Sequence, residues 1–92
     1  DFDLSYEWVD DGDVMRINHL NLDPEHRGEG KADFIIETLV RVAYYECAKA
    51  VEVSIGGGER TEAFLSKNGF RVYRRREYDH TSSYGVDAVR RI

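Results

Sequence analysis

The sequence predicts an α/β domain, a mixed and mostly antiparallel sheet carrying one long helix and one short one. Three observations lead there. Period-two alternation opens the chain on both sides of an acidic turn, one long segment has its apolar residues at helical spacing, and a short β-branched run separates it from a second, shorter helical pattern. At 92 residues with 41% hydrophobic side chains the chain supports one modest core, so residues 1–92 read as one domain.

Leu4, Tyr6 and Trp8 alternate with Ser5 and Glu7, the turn formers Asp10, Asp11, Gly12 and Asp13 follow, and an extended pattern resumes over 14–22. Together they read as an antiparallel hairpin. In the second strand Ile17 and Leu20 have opposite parity. If both face the core, one residue must be absorbed between them, which predicts a β-bulge near Asn18 or His19. Asp23 and Pro24 end that strand, since proline brings no N–H to a ladder.

Over 31–48 Ile35, Ile36, Leu39, Val40, Ala43 and Cys47 recur at helical spacing, which gives the long helix and puts Cys47 on its core face. Tyr44 and Tyr45 near its end read as structural residues, packed and partly exposed, with no part in catalysis. Val51, Val53 and Ile55 share one face of a short strand that Gly56, Gly57 and Gly58 end. The helical crossover makes this strand parallel to the 14–22 strand. The short helix spans 59–68, with Ala63, Phe64 and Leu65 apolar, and stops at Asn68 and Gly69. Phe70 and Val72 begin a strand that runs to Arg76, and 84–92 returns as a final antiparallel strand. Successive strand residues point to opposite faces, so Arg74, Arg75 and Arg76 make no single basic stripe and read as a solvated strand edge.

Composition removes several classes of function. Eighteen acidic against 13 basic residues, a net charge of −5, argue against nucleic acid or an anionic membrane as partner. No apolar run is long enough to span a membrane, and no signal segment opens the chain. The one cysteine cannot pair internally, and with the three histidines it makes no zinc-spaced cluster. A cytoplasmic, metal-free protein is expected.

Between the 14–22 strand and the long helix, Arg27, Gly28, Glu29 and Gly30 crowd backbone N–H groups at a helix N-terminus. Glycine lets an oxyanion approach there and the helix dipole favours it, which predicts a phosphate or pyrophosphate site. Neither a Walker loop nor a dinucleotide glycine fingerprint is present. The run Arg27, Gly28, Glu29, Gly30, Lys31, Ala32 instead resembles the coenzyme A loop of the GNAT superfamily of N-acetyltransferases, Arg/Gln-x-x-Gly-x-Gly/Ala. Lys67, Gly69 and Phe70 resemble the Lys-x-Gly-Phe that ends the family's later helix, and the likeness covers 14–76.

The resemblance implies an N-acyltransferase that uses acetyl-CoA as co-substrate and a small-molecule or protein amine as acceptor. It implies that Leu20, Asn21 and Leu22 pair with the pantetheine arm, and that Arg27, Gly28, Glu29, Gly30, Lys31 and Ala32 bind the pyrophosphate. The chain is shorter than is usual for that family. Leu65, Arg16 and Gly58 stand where many members have a tyrosine acid, a glutamate base and an asparagine. These departures support a second reading, a catalytically silent coenzyme-binding or interaction module of the same fold. For an active enzyme the candidate bases are His19, an imidazole on the second strand, and Glu52, on the polar face of its strand. A miniature of the fold leaves apolar surface near Tyr6 and Trp8, which predicts a homodimer or a contact with a further segment.

Overall fold

The structure is a computed structural model, and it describes residues 2–22, 30–77 and 84–92. β1 (Phe2–Val9) and β2 (Val14–Leu22) form an antiparallel hairpin closed by the Val9–Val14 pair. The connecting 3-10 turn, Asp10–Gly12, has Asp10, Asp11 and Gly12 all at positive φ, a conformation that aspartate and glycine tolerate better than bulkier residues. There follow α1 (Lys31–Tyr45), β3 (Ala50–Ile55), α2 (Gly58–Lys67), β4 (Arg71–Glu77) and β5 (Tyr84–Arg91). The five strands make one mixed sheet in the order β1-β2-β3-β5-β4. Only β2 and β3 pair in parallel; the other three pairings are antiparallel. The α/β class and the parallel crossover read from the sequence are both present.

The bulge lies at Asn18. Tyr6 stands opposite Ile17 and Ser5 opposite His19, so Asn18 is the residue without a partner in the register. Met15, Ile17 and Leu20 therefore all turn toward the core, while Asn18 and His19 both turn to the opposite face. The core packs Met15, Ile17, Val51, Val53, Val86 and Ala88 of the sheet against Ile36, Leu39, Val40 and Ala43 of α1 and Leu65 of α2. Both helices thus lie on one face, and among the described residues the other face carries no helix. No helix of the described residues is long and apolar enough to cross a membrane.

One expectation needs correction. The long helix ends at Tyr45, not at 48: Glu46 and Cys47 form a turn in which Ala48 N–H bonds the Ala43 carbonyl. Cys47 takes φ 63° in that turn and is exposed, while Ala48 is buried in its stead. Tyr44 and Tyr45 are exposed and meet edge to face. The three arginines lie on a solvated edge strand, as expected, and each also meets a carboxylate that the sequence did not reveal. β4 is the sheet edge, but a second bulge at Tyr73 places Arg74 opposite Asp87. Arg74 Nε donates to Asp87 Oδ2 at 2.7 Å and Arg76 Nε lies 3.3 Å from Asp87 Oδ1 on the open face, while Arg75 grips both Glu62 oxygens from the helix side. Each arginine is tethered to a carboxylate. Alternation correctly separated the faces but could not reveal the acids on β5 and α2.

Asp87 is only 2% exposed and also accepts from Ser54 Oγ at 2.7 Å. Burial opposes its ionisation, but the hydrogen bonds from Ser54 and Arg74 and the charges of Arg76 and Arg74 outweigh that and hold the carboxyl below its ordinary range. Glu62 is lowered likewise, first by Arg75 and then by the Tyr84 hydroxyl. A carboxyl whose pKa is lower folded than unfolded contributes stability above the unfolded pKa and loses it as pH falls through the folded one. Urea stability should hold from neutrality down to the ordinary carboxylate range near about 4 and fall below it. Asp87→Asn should cost about 1–3 kcal/mol at pH 7, because two partly solvated arginines lose one buried acceptor, and should flatten the acid limb. Equal urea midpoints for the two proteins at pH 7 would contradict this role.

Candidate functional site

β2 and β3 pair from Val14 and Ala50 to Ile17 and Val53, and no further. The pairing stops where the bulge begins, although β2 continues to Leu22 and β3 to Ile55. Residues 18–22 keep β1 on one edge and have no backbone partner on the other among the described residues. A cleft of about 650 Å³ opens between the parted ends, in the size range of small-molecule sites. Leu20 and Asn21 line it from β2, Ile55, Gly56 and Gly57 from the end of β3, Gly30, Ala32 and Asp33 from the start of α1, and Arg60, Thr61, Phe64 and Lys67 from α2.

Of the sequence's cofactor residues, Leu20, Asn21, Gly30 and Ala32 therefore line one cleft, and Lys31 is exposed beside it. The β2 backbone includes Leu22. Arg27, Gly28 and Glu29 lie outside the described residues. Gly30 takes φ 76° at the N-cap, and the first intrahelical bond runs from Phe34 N–H to the Gly30 carbonyl at 3.0 Å. No side chain caps this end, so the first turn of α1 brings its positive dipole end to the cleft. Asp33 would oppose an anion there, but its carboxylate is engaged by Asn68 Nδ2 at 2.9 Å and Lys67 Nζ at 3.2 Å. The Asn68 amide, and then Lys67, hold the Asp33 carboxyl below its ordinary value.

Across the sheet, on the open face, Glu52 Oε1 accepts from Arg16 Nε at 3.3 Å and from the Tyr73 hydroxyl at 3.1 Å. Burial and then the Glu52 carboxylate push the Tyr73 phenol above its ordinary value. His19 is exposed on the same face, next to Asn18, which donates to Glu7 Oε2 at 3.0 Å. The two candidate bases thus share a face near the point where β2 and β3 part, but no hydrogen bond joins them and neither lines the cleft. Leu65 is wholly buried in the core; the side chain of α2 that reaches the cleft beside it is Phe64. Among the described residues no group of three His, Cys, Asp or Glu side chains is arranged to hold a metal.

No protein-family model matches the sequence, and no curated protein matches it. Solved structures match its fold. Ard1 from Thermoplasma volcanium superposes with a TM-score of 0.81 at 15% identity, covering 97% of this chain and 61% of its own. Nourseothricin acetyltransferase gives 0.79 at 14% identity, and a GNAT family acetyltransferase from Elizabethkingia anophelis with acetyl-CoA bound gives 0.78 at 12%. The chain has the GNAT acetyltransferase fold. It spans 55% of the nourseothricin acetyltransferase chain and 67% of the Elizabethkingia one, while 96% and 97% of its own length is matched. The GNAT fold predicted from the glycine loop and the Gly69-Phe70 pair is thereby established.

The sequence singled out the α1 side of the cleft and missed the α2 side. Its signal was present: Arg60, Phe64 and Lys67 follow i, i+4, i+7 spacing along one face of α2. Gly57 was read only as a strand stop. It takes φ 113°, and a Cβ there would come within 2.1 Å of Thr61 Oγ1, which itself donates to the Gly56 carbonyl. Gly57→Ala should lower stability by about 1–3 kcal/mol through this strain and the displaced Thr61–Gly56 hydrogen bond. A urea midpoint equal to that of the parent would show that the start of α2 is not fixed in this way.

Proposed function

We propose that this chain binds an acyl-CoA, acetyl-CoA first among them, in the cleft between β2 and β3 and passes the acyl group to an amine approaching over the open face. The observation that carries this reading is the unpaired edge of β2 beyond Asn18, which leads to the N-terminal turn of α1. An unpaired strand offers alternating donors and acceptors to an amide-bearing arm such as pantetheine, as a sheet edge does to an added peptide. The first turn of α1, with Gly30, Lys31 and Ala32 and the preceding Arg27, Gly28 and Glu29, suits a pyrophosphate. That the Elizabethkingia structure of the same fold holds acetyl-CoA supports the choice of ligand.

Acetyl-CoA supplies an activated thioester. The chain's own groups then have three tasks: to hold donor and amine together, to stabilise the carbonyl oxyanion and to take the proton of the acceptor's ammonium. The backbone amides of residues 20–22 that face away from β1 are the proposed donors to the oxyanion. Glu52 or His19 takes the proton, directly or through water, with Arg16 and Tyr73 orienting Glu52. Buried Leu65 cannot donate to the departing thiolate, so that proton comes from water or from the acceptor's own ammonium. Arg16 and Leu65 also favour the second reading, in which the chain binds coenzyme and does not turn over. Tyr6 and Trp8, 44% and 40% exposed and stacked edge to face beside the sheet edge, support self-association. The free Cys47 suits a cytoplasmic setting.

Acetyl-CoA at about one hundred times its dissociation constant should add roughly 2.7 kcal/mol and raise the melting temperature by about 8 °C or more. No shift at millimolar acetyl-CoA would remove coenzyme binding. In a mass-spectrometric screen of amines, Glu52→Gln or His19→Gln should slow acylation by roughly 10²- to 10⁴-fold, whichever residue is the base. Full rates in both variants would place the base elsewhere, and coenzyme binding without any turnover would favour the silent module. Sedimentation should show a dimer at high protein concentration; a monomer there would contradict self-association.

A further inference from the structure

Three ionisable side chains line the cleft: Asp33, Arg60 and Lys67. Asp33 and Lys67 neutralise each other at 3.2 Å. Arg60 is left over, with no ion pair or hydrogen bond among the described residues, whereas Arg74, Arg75 and Arg76 of β4 each hold a carboxylate. The cleft wall is thus net positive in a chain of net charge −5. Such a local reversal favours an anionic ligand beyond what the overall charge allows.

The cations also have a spacing. Seven residues of helix separate Arg60 from Lys67, about two turns and roughly 10 Å of rise, so both project from one face of α2 with Phe64 between them. Lys67 contacts Asp33 in the first turn of α1, so its end of the cleft coincides with that helix N-terminus. Arg60 stands at the other end, beside Gly57 and the start of α2. An anion at the α1 end alone leaves Arg60 without a partner.

Building on the coenzyme reading above, we infer that Arg60 reads a second, separate phosphate of the ligand, a monoester set apart from the pyrophosphate. In coenzyme A that group is the 3′-phosphate of the adenosine, and Phe64 offers apolar surface to the nucleoside between the two anions. A phosphate monoester carries close to two negative charges at neutral pH, and guanidinium meets it with two parallel hydrogen bonds. Arg60 therefore sets specificity for the phosphorylated carrier.

Calorimetric titration with coenzyme A and with dephospho-coenzyme A, on the parent chain and on Arg60→Gln, tests this. The parent should bind coenzyme A about tenfold tighter than the dephospho form, and Arg60→Gln should bring that ratio close to one while leaving dephospho-coenzyme A affinity unchanged. Equal affinities in the parent, or a preference that survives in Arg60→Gln, would overturn the assignment and leave the coenzyme reading standing. If neither ligand binds at millimolar concentration, the coenzyme reading falls and this inference with it.

Discussion

The rest of the architecture depends on one extra residue in β2. An uninterrupted strand would carry Ile17 to the core and Leu20 to the opposite face; the bulge at Asn18 sends both inward. Both then join the packing beneath the helices, and two polar neighbours, Asn18 and His19, turn outward together. The same irregularity coincides with the end of the β2–β3 ladder. A cleft between parallel strands is otherwise costly, since it exposes backbone groups that want partners. Here it opens where the bulge has interrupted the ladder, with α1 and α2 forming its outer walls.

The two faces of the sheet do different work. On the helix face, apolar packing from α1 and α2 supplies the cohesion, and the Glu62–Arg75–Tyr84 cluster pins α2 to β4 and β5. On the open face, charges are paired across strands: Arg16 with Glu52, and Arg74 and Arg76 with the buried Asp87. Pairing of this kind satisfies the charges of a sheet face that carries no helix among the described residues, while leaving Glu52 half-buried, oriented by Arg16 and Tyr73 and close to where β2 and β3 part. The bulges at Asn18 and Tyr73 both redirect side chains over that face.

Local rules reached the elements well and the contacts poorly. Parity at Ile17 and Leu20 was enough to place the bulge, because a core leaves a strand few ways to reconcile two inward residues. The crossover helix was enough to make β3 parallel. The helix end was misjudged because Cys47 falls on the apolar stripe, while the chain turns at Glu46 and buries Ala48. The partners of Arg74, Arg75 and Arg76 were beyond local reading, since Asp87 and Glu62 come from β5 and α2. Tyr73 and Arg60 escaped for the same reason: their meaning lies in what the fold sets opposite them.

The central claim is that the parted end of β2 and the first turn of α1 form one ligand site. Backbone amide shifts recorded during titration with acetyl-CoA test it most directly. The account predicts that the amides of Leu20, Asn21 and Leu22 and of Ala32 and Asp33 move together along one saturating curve, while those of Arg16 and Val14, within the paired ladder, stay in place. Shifts confined to the open face, or none at saturating ligand, would contradict it.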